Sequence, residues 1–159
     1  DVKQGESGEI LLKGDNILFE YWGNETATKD AIRDGWFYTG DIGYQDEDLD
    51  VWFNDRKKDV VISGSENIYP AEIEAFMHEM ADITDGVIVG KPDEKWGEVP
   101  VAVVIPKKGA NISEDNFLNR FQEQLARYKH PKAVYFVEDL PRNAMGKVLK
   151  YEVRKLVNK

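Results

Sequence analysis

The run Val99-Pro100-Val101-Ala102-Val103-Val104-Ile105 contains no charged or polar side chain. Side chains alternate between the two faces of a strand, so an unbroken apolar run is greasy on both sides. Such a strand belongs in the middle of a sheet that is covered above and below. Its neighbours in sequence supply the cover. Pro70 suits the first turn of a helix, Glu72 and Glu74 favour its positive end, and Ile73, Phe76, Met77 and Met80 repeat at helical spacing. Ser113 can cap a second helix with the stripe Phe117, Leu118, Phe121 and Leu125, and Leu149, Val153, Leu156 and Val157 mark a terminal one. Val60 to Ile62, Gly86 to Val89 and Val134 to Val137 read as further strands, and Ser63 to Asn67 as a turn-rich loop. About three strands and three helices, mixed rather than alternating, predict a compact α+β unit.

The first third has a different texture. Glu9 to Lys13 reads as a short strand, Tyr21 to Arg33 as weakly helical, and Asp34-Gly35 as a tight turn. Val51-Trp52-Phe53 is the return strand of a hairpin around Asp46 to Asp50. The opening residues, without Met, run straight into a strand, as if entering a larger body.

The chain has 159 residues, with 21 Lys and Arg against 30 Asp and Glu, a net charge of -9. That length can bury roughly 70% of its unfolded surface, enough for a core. The acidic balance disfavours a nucleic-acid backbone or an anionic membrane as partner. Cysteine is absent, which excludes disulfides, thiolate metal sites and a cysteine nucleophile, and two histidines are too few for a histidine-rich metal site. No apolar run is long enough to span a bilayer, and a cytoplasmic location is expected.

Several residues are suited to chemistry. Asp41, in Tyr38-Thr39-Gly40-Asp41, is a carboxylate on a tight turn that could accept hydrogen bonds from a vicinal diol, or simply brace its own turn. Asp46, Asp48 and Asp50 have calcium-loop spacing, but Val51 stands where that loop needs glycine and Lys57 where it needs glutamate, so the calcium reading fails. Asp55 to Asp59 is a charge run: a solvated linker, or a hinge in which Arg56 contacts a phosphate or ribose. Trp96 is a core-edge residue or the wall of a narrow channel. Lys147, after Gly146, is a surface lysine or a cation delivered into a closed site.

Taken in order, Tyr38-Thr39-Gly40-Asp41, the stretch Asp55 to Glu74 and Pro141-Arg142-Asn143-Ala144-Met145-Gly146-Lys147 resemble the adenylate-forming superfamily, over essentially the whole chain. The resemblance implies that residues 1–56 are the β-rich end of a large N-terminal AMP-binding domain. Residues 57–159 would be its small mixed α/β C-terminal lid domain. It implies an AMP-forming carboxylic acid–CoA ligase: the acid and ATP give acyl-AMP, then CoA displaces AMP. It further implies that Asp41 binds ribose, Arg56 ribose or phosphate, and that Lys58 is the hinge. Lys147 would act in adenylation, while Gly64 and, more loosely, Trp96 line the pantetheine path, with Lys129 and His130 near the CoA nucleotide. Mg2+ is expected for the whole enzyme, with no ligand in this chain. The partners implied are the acid, CoA and the missing N-terminal domain, without which the chain would be inactive. An adenylation domain serving a carrier protein and a free-standing non-catalytic domain are the alternatives. Two departures stand out: Leu49 and Ser65 occupy positions where the family often has glycine.

Overall fold

The computed structural model describes residues 2–158; Asp1 and Lys159, the outer limits of the two expected domains, lie outside them. The chain divides into two compact units, between Lys58 and Asp59, against an expected boundary at 56/57.

In the first unit, β1 (Gly8–Leu12) is followed by α1 (Glu25–Ala31), β2 (Ile32–Arg33), β3 (Trp36–Gln45) and β4 (Val51–Arg56). All pairings are antiparallel, and the long β3 touches each of the other strands. The weakly helical stretch is helical only from Glu25, where the Asn24 side chain accepts the Ala27 N–H, and Ile32 is already in a strand. Asp34 (φ 52°) and Gly35 (φ 76°) are both left-handed, the geometry of a type I′ hairpin turn. Leu49 adopts φ 68° at the tip of the β3–β4 hairpin, the backbone state for which glycine is the usual choice. Among the described residues of this unit only Gly43 and Asp55 are buried, while Phe19 and Trp22 are more than nine-tenths exposed.

The second unit carries a five-stranded sheet. Its strands are β5 (Val61–Ser63), β6 (Glu66–Ile68), β7 (Ile83–Asp93), β8 (Gly97–Pro106) and β9 (Val134–Phe136). β8 is central: it pairs antiparallel with β5 and β7 and parallel with β9. Four of the five strands are runs already read as strands, one more than the rough count of three; the fifth, β6, arises because the stretch Ser63 to Asn67 is no open loop. It is a two-residue hairpin whose arms, β5 and β6, are too short to show alternation.

Period-two alternation sorts β7 and β8 onto two cores. Ile88, Ala102 and Val104 face α2 (Pro70–His78) and α3 (Glu114–Asn119), where Ile73, Met77, Phe117 and Phe121 are fully buried. Val87, Val89, Val101 and Val103 face α4 (Lys150–Val157) through Val153 and Val157. The expected apolar-on-both-faces strand is therefore this β8.

The helix begun by Ser113 is shorter than its stripe. Arg120, Phe121 and Gln122 donate to carbonyls three residues back, so the chain tightens into turns beyond Asn119. Phe121 still reaches the core, edge-on to Phe76 and Phe117 with ring centroids 5.3 Å apart in each pair. In the terminal helix Leu156 points to solvent.

The outer edge of β7 is covered by side chains. Glu74 Oε1 accepts the Ile88 N–H at 2.8 Å and pairs with Lys150 at 2.7 Å, both side chains 16% exposed. One backbone donor on the unpaired edge of β7 is thereby taken, which hinders pairing with a second chain at that point.

Candidate functional site

The first group of candidate residues sits where β3 and β4 pair. Asp41 lies directly across from Arg56 in the ladder. Just beyond, the register shifts between Ile42 and Gly43, and a Cβ on Gly43 would stand 2.4 Å from the Trp52 carbonyl oxygen. Only glycine permits that close approach.

The turn before Asp41 is held from several sides. Thr39 Oγ1 donates to the Ile10 carbonyl at 2.8 Å and accepts the Asp41 N–H at 3.0 Å. Glu9 accepts the Gly40 N–H through one oxygen and pairs with Lys57 through the other, at 2.8 Å. Asp41 Oδ1 is buried and accepts no hydrogen bond, although Arg56 Nε stands 2.9 Å away as an ion-pair partner whose N–H is aimed elsewhere. Arg56 offsets the charge on that oxygen, and the Asp41 side chain as a whole stays 29% exposed, so its carboxylate can still take a ribose hydroxyl and these residues fit a nucleotide. Asp41 does not serve its own turn; Thr39 does.

Lys58 is exposed and closes the first unit. On the other side of the division, Asp59 pairs with Arg154 at 2.9 Å.

In the second unit Gly64 and Trp96, 32 residues apart in sequence, come together. Gly64 has φ 64° and Ser65 does not take a positive φ, which marks a type II′ turn with glycine at its first central position. Ser65 therefore needs no glycine. The Gly64 N–H donates to the Trp96 carbonyl at 2.7 Å, and a Cβ on Gly64 would meet the Trp96 ring at 3.1 Å. Trp96 is held by Asp93, whose Oδ1 accepts the Lys95 and Trp96 N–H groups, and the residue is 47% exposed. It belongs to the surface, and a flat apolar wall beside bare backbone is what a slender thiol arm could slide along.

Lys147 lies on the exposed loop between β9 and α4, and no carboxylate among the described residues pairs with it. Lys129 and His130 are already engaged: Lys129 pairs with Glu72 at 2.6 Å, and His130 Nε2 is 2.8 Å from the Leu125 carbonyl oxygen. Burial pulls the Lys129 ammonium towards neutrality, but Glu72 outweighs it and holds the pKa above the ordinary lysine value.

The Lys147 loop is tied to Asp85 near the start of β7, and Gly64–Trp96 to Asp93 at its end. Eight residues of strand at ~3.3 Å each put roughly 25 Å between these anchors.

Sequence reasoning assigned no role to Glu9, Asp85 or Asn143. Asn143 carried a signal, an Asn three residues before a Gly in a loop opened by Pro141; Glu9 and Asp85 carried none. Asp46, of the rejected calcium loop, instead holds its hairpin, accepting N–H groups from Asp48, Asp50 and the Trp52 indole. Among the described residues no cluster of three His, Asp or Glu is arranged to hold a metal ion, and no helix is long and apolar enough to cross a membrane.

Residues 72–147 match the family profile of the AMP-binding enzyme C-terminal domain. An indoleacetate–CoA ligase of Aromatoleum aromaticum is 49% identical over 157 residues, 99% of this chain and 31% of that protein. The structure is similar to ATP-bound MatB from Rhodopseudomonas palustris, with a TM-score of 0.88 and 42% identity over 99% of this chain and 32% of that one. It is equally similar, at TM-score 0.88 and 36% identity, to the Bacillus subtilis o-succinylbenzoate CoA synthetase in complex with its acyl-adenylate intermediate, covering 96% of this chain and 31% of that one. The chain thus spans about a third of the length of the relatives it matches. Motif order, two-unit architecture and similarity along nearly every residue agree: the chain belongs to the adenylate-forming, AMP-binding superfamily and corresponds to the C-terminal part of its CoA ligases.

Proposed function

We propose that this chain is the C-terminal part of an ATP-dependent, AMP-forming carboxylic acid–CoA ligase, and that the two ends of the sheet in its second unit serve different steps. The observation that carries the reading is the separation along β7. One end anchors the loop of a bare cation and the other an exposed glycine–tryptophan surface, and the two anchoring residues are roughly 25 Å apart along one strand. Two such groups cannot act on the same reacting atom in one arrangement. They suit a reaction in two halves, with the second unit reoriented about Lys58 between them.

In the first half, Asp41 would accept hydrogen bonds from the ribose hydroxyls and Arg56 would contact ribose or phosphate. Lys147 would bring a positive charge to the carboxylate and α-phosphate, stabilising charge that develops there. In the second half the Gly64–Trp96 surface would admit the pantetheine arm of CoA, whose thiol displaces AMP. The scarcity of buried residues in the first unit supports reading it as one strip of a larger domain, which would supply the acid pocket. The same reading includes Mg2+ for the whole enzyme, a cytoplasmic location where ATP and CoA are available, and no adenylation by the 159 residues alone.

The test is Lys147→Ala in the full-length enzyme, with acid-dependent pyrophosphate exchange and CoA capture of preformed acyl-adenylate measured separately. Exchange is expected to fall by about 100-fold or more, the scale of losing one preorganised charge-stabilising group. Capture is expected to stay within about twofold. Equal loss of both halves would overturn the assignment.

A further inference from the structure

Resting on the reading of Lys147 given above, we propose that Asn143, Arg142 and Asp85 form a brace that positions Lys147 for the first half-reaction. The loop from Pro141 to Val148 has little packing to hold it: residues 142–147 are exposed, and Met145 is 92% exposed. Its order therefore rests on hydrogen bonds.

The Asn143 side-chain oxygen accepts the Met145 N–H at 3.0 Å and the Lys147 N–H at 2.9 Å. The Asn143 backbone N–H donates to the Lys147 carbonyl at 2.9 Å, so Lys147 is gripped at both of its own backbone groups by one residue. Arg142 works beside it. One guanidinium nitrogen donates to the Gly146 carbonyl at 2.7 Å, and another pairs with Asp85 on β7. Asp85 is itself fixed, accepting the Gly86 N–H at 2.7 Å and lying 3.4 Å from His78 Nε2. The chain of contacts runs from the sheet through Asp85 and Arg142 to the carbonyl immediately before Lys147.

A lysine stem has four rotatable bonds, so its backbone must be the fixed end if the ammonium is to arrive at one place. A misplacement of about 1 Å at a reacting centre costs on the order of 100-fold in rate. Loosening this brace would therefore lower adenylation without touching the thiol step, which uses the far end of β7. None of the three residues is proposed to touch substrate; they act through Lys147.

The experiment compares Asn143→Ala, Asp85→Asn and Lys147→Ala. In the 159-residue chain, amide exchange at Lys147 and Met145 should quicken at least tenfold in Asn143→Ala, while the amides of Val101 to Val104 exchange as in the parent chain. In the full-length enzyme, Asn143→Ala and Asp85→Asn should each lower pyrophosphate exchange about tenfold or more, with capture of preformed acyl-adenylate by CoA within about twofold. Asn143→Ser, which restores a side-chain acceptor, should recover part of the loss. Unchanged adenylation in Asn143→Ala, or equal loss of both halves while the core amides are undisturbed, overturns the brace. If Lys147→Ala cripples adenylation and Asn143→Ala does not, the brace alone falls. If Lys147→Ala spares adenylation, the role of Lys147 falls and the brace with it.

Discussion

Replacing Gly64 by alanine adds one methyl group to a two-residue turn, and the structure says what that methyl meets. The φ of 64° at the first central position of a type II′ turn is a conformation that L-residues rarely adopt, at a cost of about 1–3 kcal/mol. Alanine recovers about 0.4–1 kcal/mol by restricting the unfolded chain. The new Cβ would lie 3.1 Å from Trp96 Cε3, tight enough to push the ring by a few tenths of an ångström. Trp96 is half exposed and free to tilt outward, so this contact adds little. The net expectation is a loss of about 1 kcal/mol, which at a urea m-value of about 1–2 kcal/mol/M lowers the midpoint by roughly 0.5–1 M. Trp96 is the single tryptophan of the second unit, so its fluorine resonance in a fluorotryptophan-labelled chain should shift while the other three stay in place. In the full-length enzyme CoA capture should fall and pyrophosphate exchange should not. Ser65→Ala, at a residue with no positive φ, provides the control and should change stability by less than about 0.5 kcal/mol. An unshifted Trp96 resonance together with normal CoA capture in Gly64→Ala would refute the account of this surface.

Two further outcomes concern the second unit by itself. Lys150→Ala strands the Glu74 carboxylate, which is mostly buried against β7, and should cost about 1–3 kcal/mol by urea denaturation; Glu74→Gln, which keeps an acceptor for the Ile88 N–H, should cost less. The Asp82 carboxyl lies below its ordinary value of 3.8, chiefly through its hydrogen bonds to Arg120. Asp85 also lies below it: burial pulls upward, but the Gly86 N–H, Arg142 and His78 together outweigh that pull. Groups with lowered pKa values stabilise the fold above their unfolded value, and that contribution disappears as pH falls through the lower folded one. Stability should thus drop below about pH 4, and Asp82→Asn should flatten that limb, its difference from the parent chain shrinking as pH falls through the lowered folded value. An unchanged acid slope in Asp82→Asn would argue against the Asp82–Arg120 pair as its source.

Much of the second unit was legible in the sequence because its signals are local and repeated. The apolar run at Val99 to Ile105 reads as a strand covered on both faces, and the stripe through Ile73 and Met77 as a helix on a core, and both are found. Short elements were not legible. β6 has three residues, fewer than two periods of alternation, and α3 ends where Arg120 turns its guanidinium to Asp82, a tertiary contact that spacing does not encode. The Asp34-Gly35 turn was readable from two residues whose chemistry tolerates left-handed backbone. Leu49 conceals the same backbone state behind a residue that rarely adopts it.

The candidate residues divide in the same way. Their identities, and the order of the three motifs, are properties of the sequence, because side-chain chemistry travels with the residue. Their use together is not. Asp41 faces Arg56 only because of the β3–β4 register, and a slip of one residue would send the two side chains to opposite faces. Gly64 meets Trp96 only because β5 pairs with the start of β8, which brings Ser63 opposite Gly97. Lys147 is steadied by Asp85, 62 residues earlier, through an arginine that reaches the sheet edge. Sequence determined which chemical groups this chain carries and which strand lies at its centre. Tertiary structure decided which groups meet, because pairing register and edge contacts are set by the packing of distant segments rather than by any local pattern.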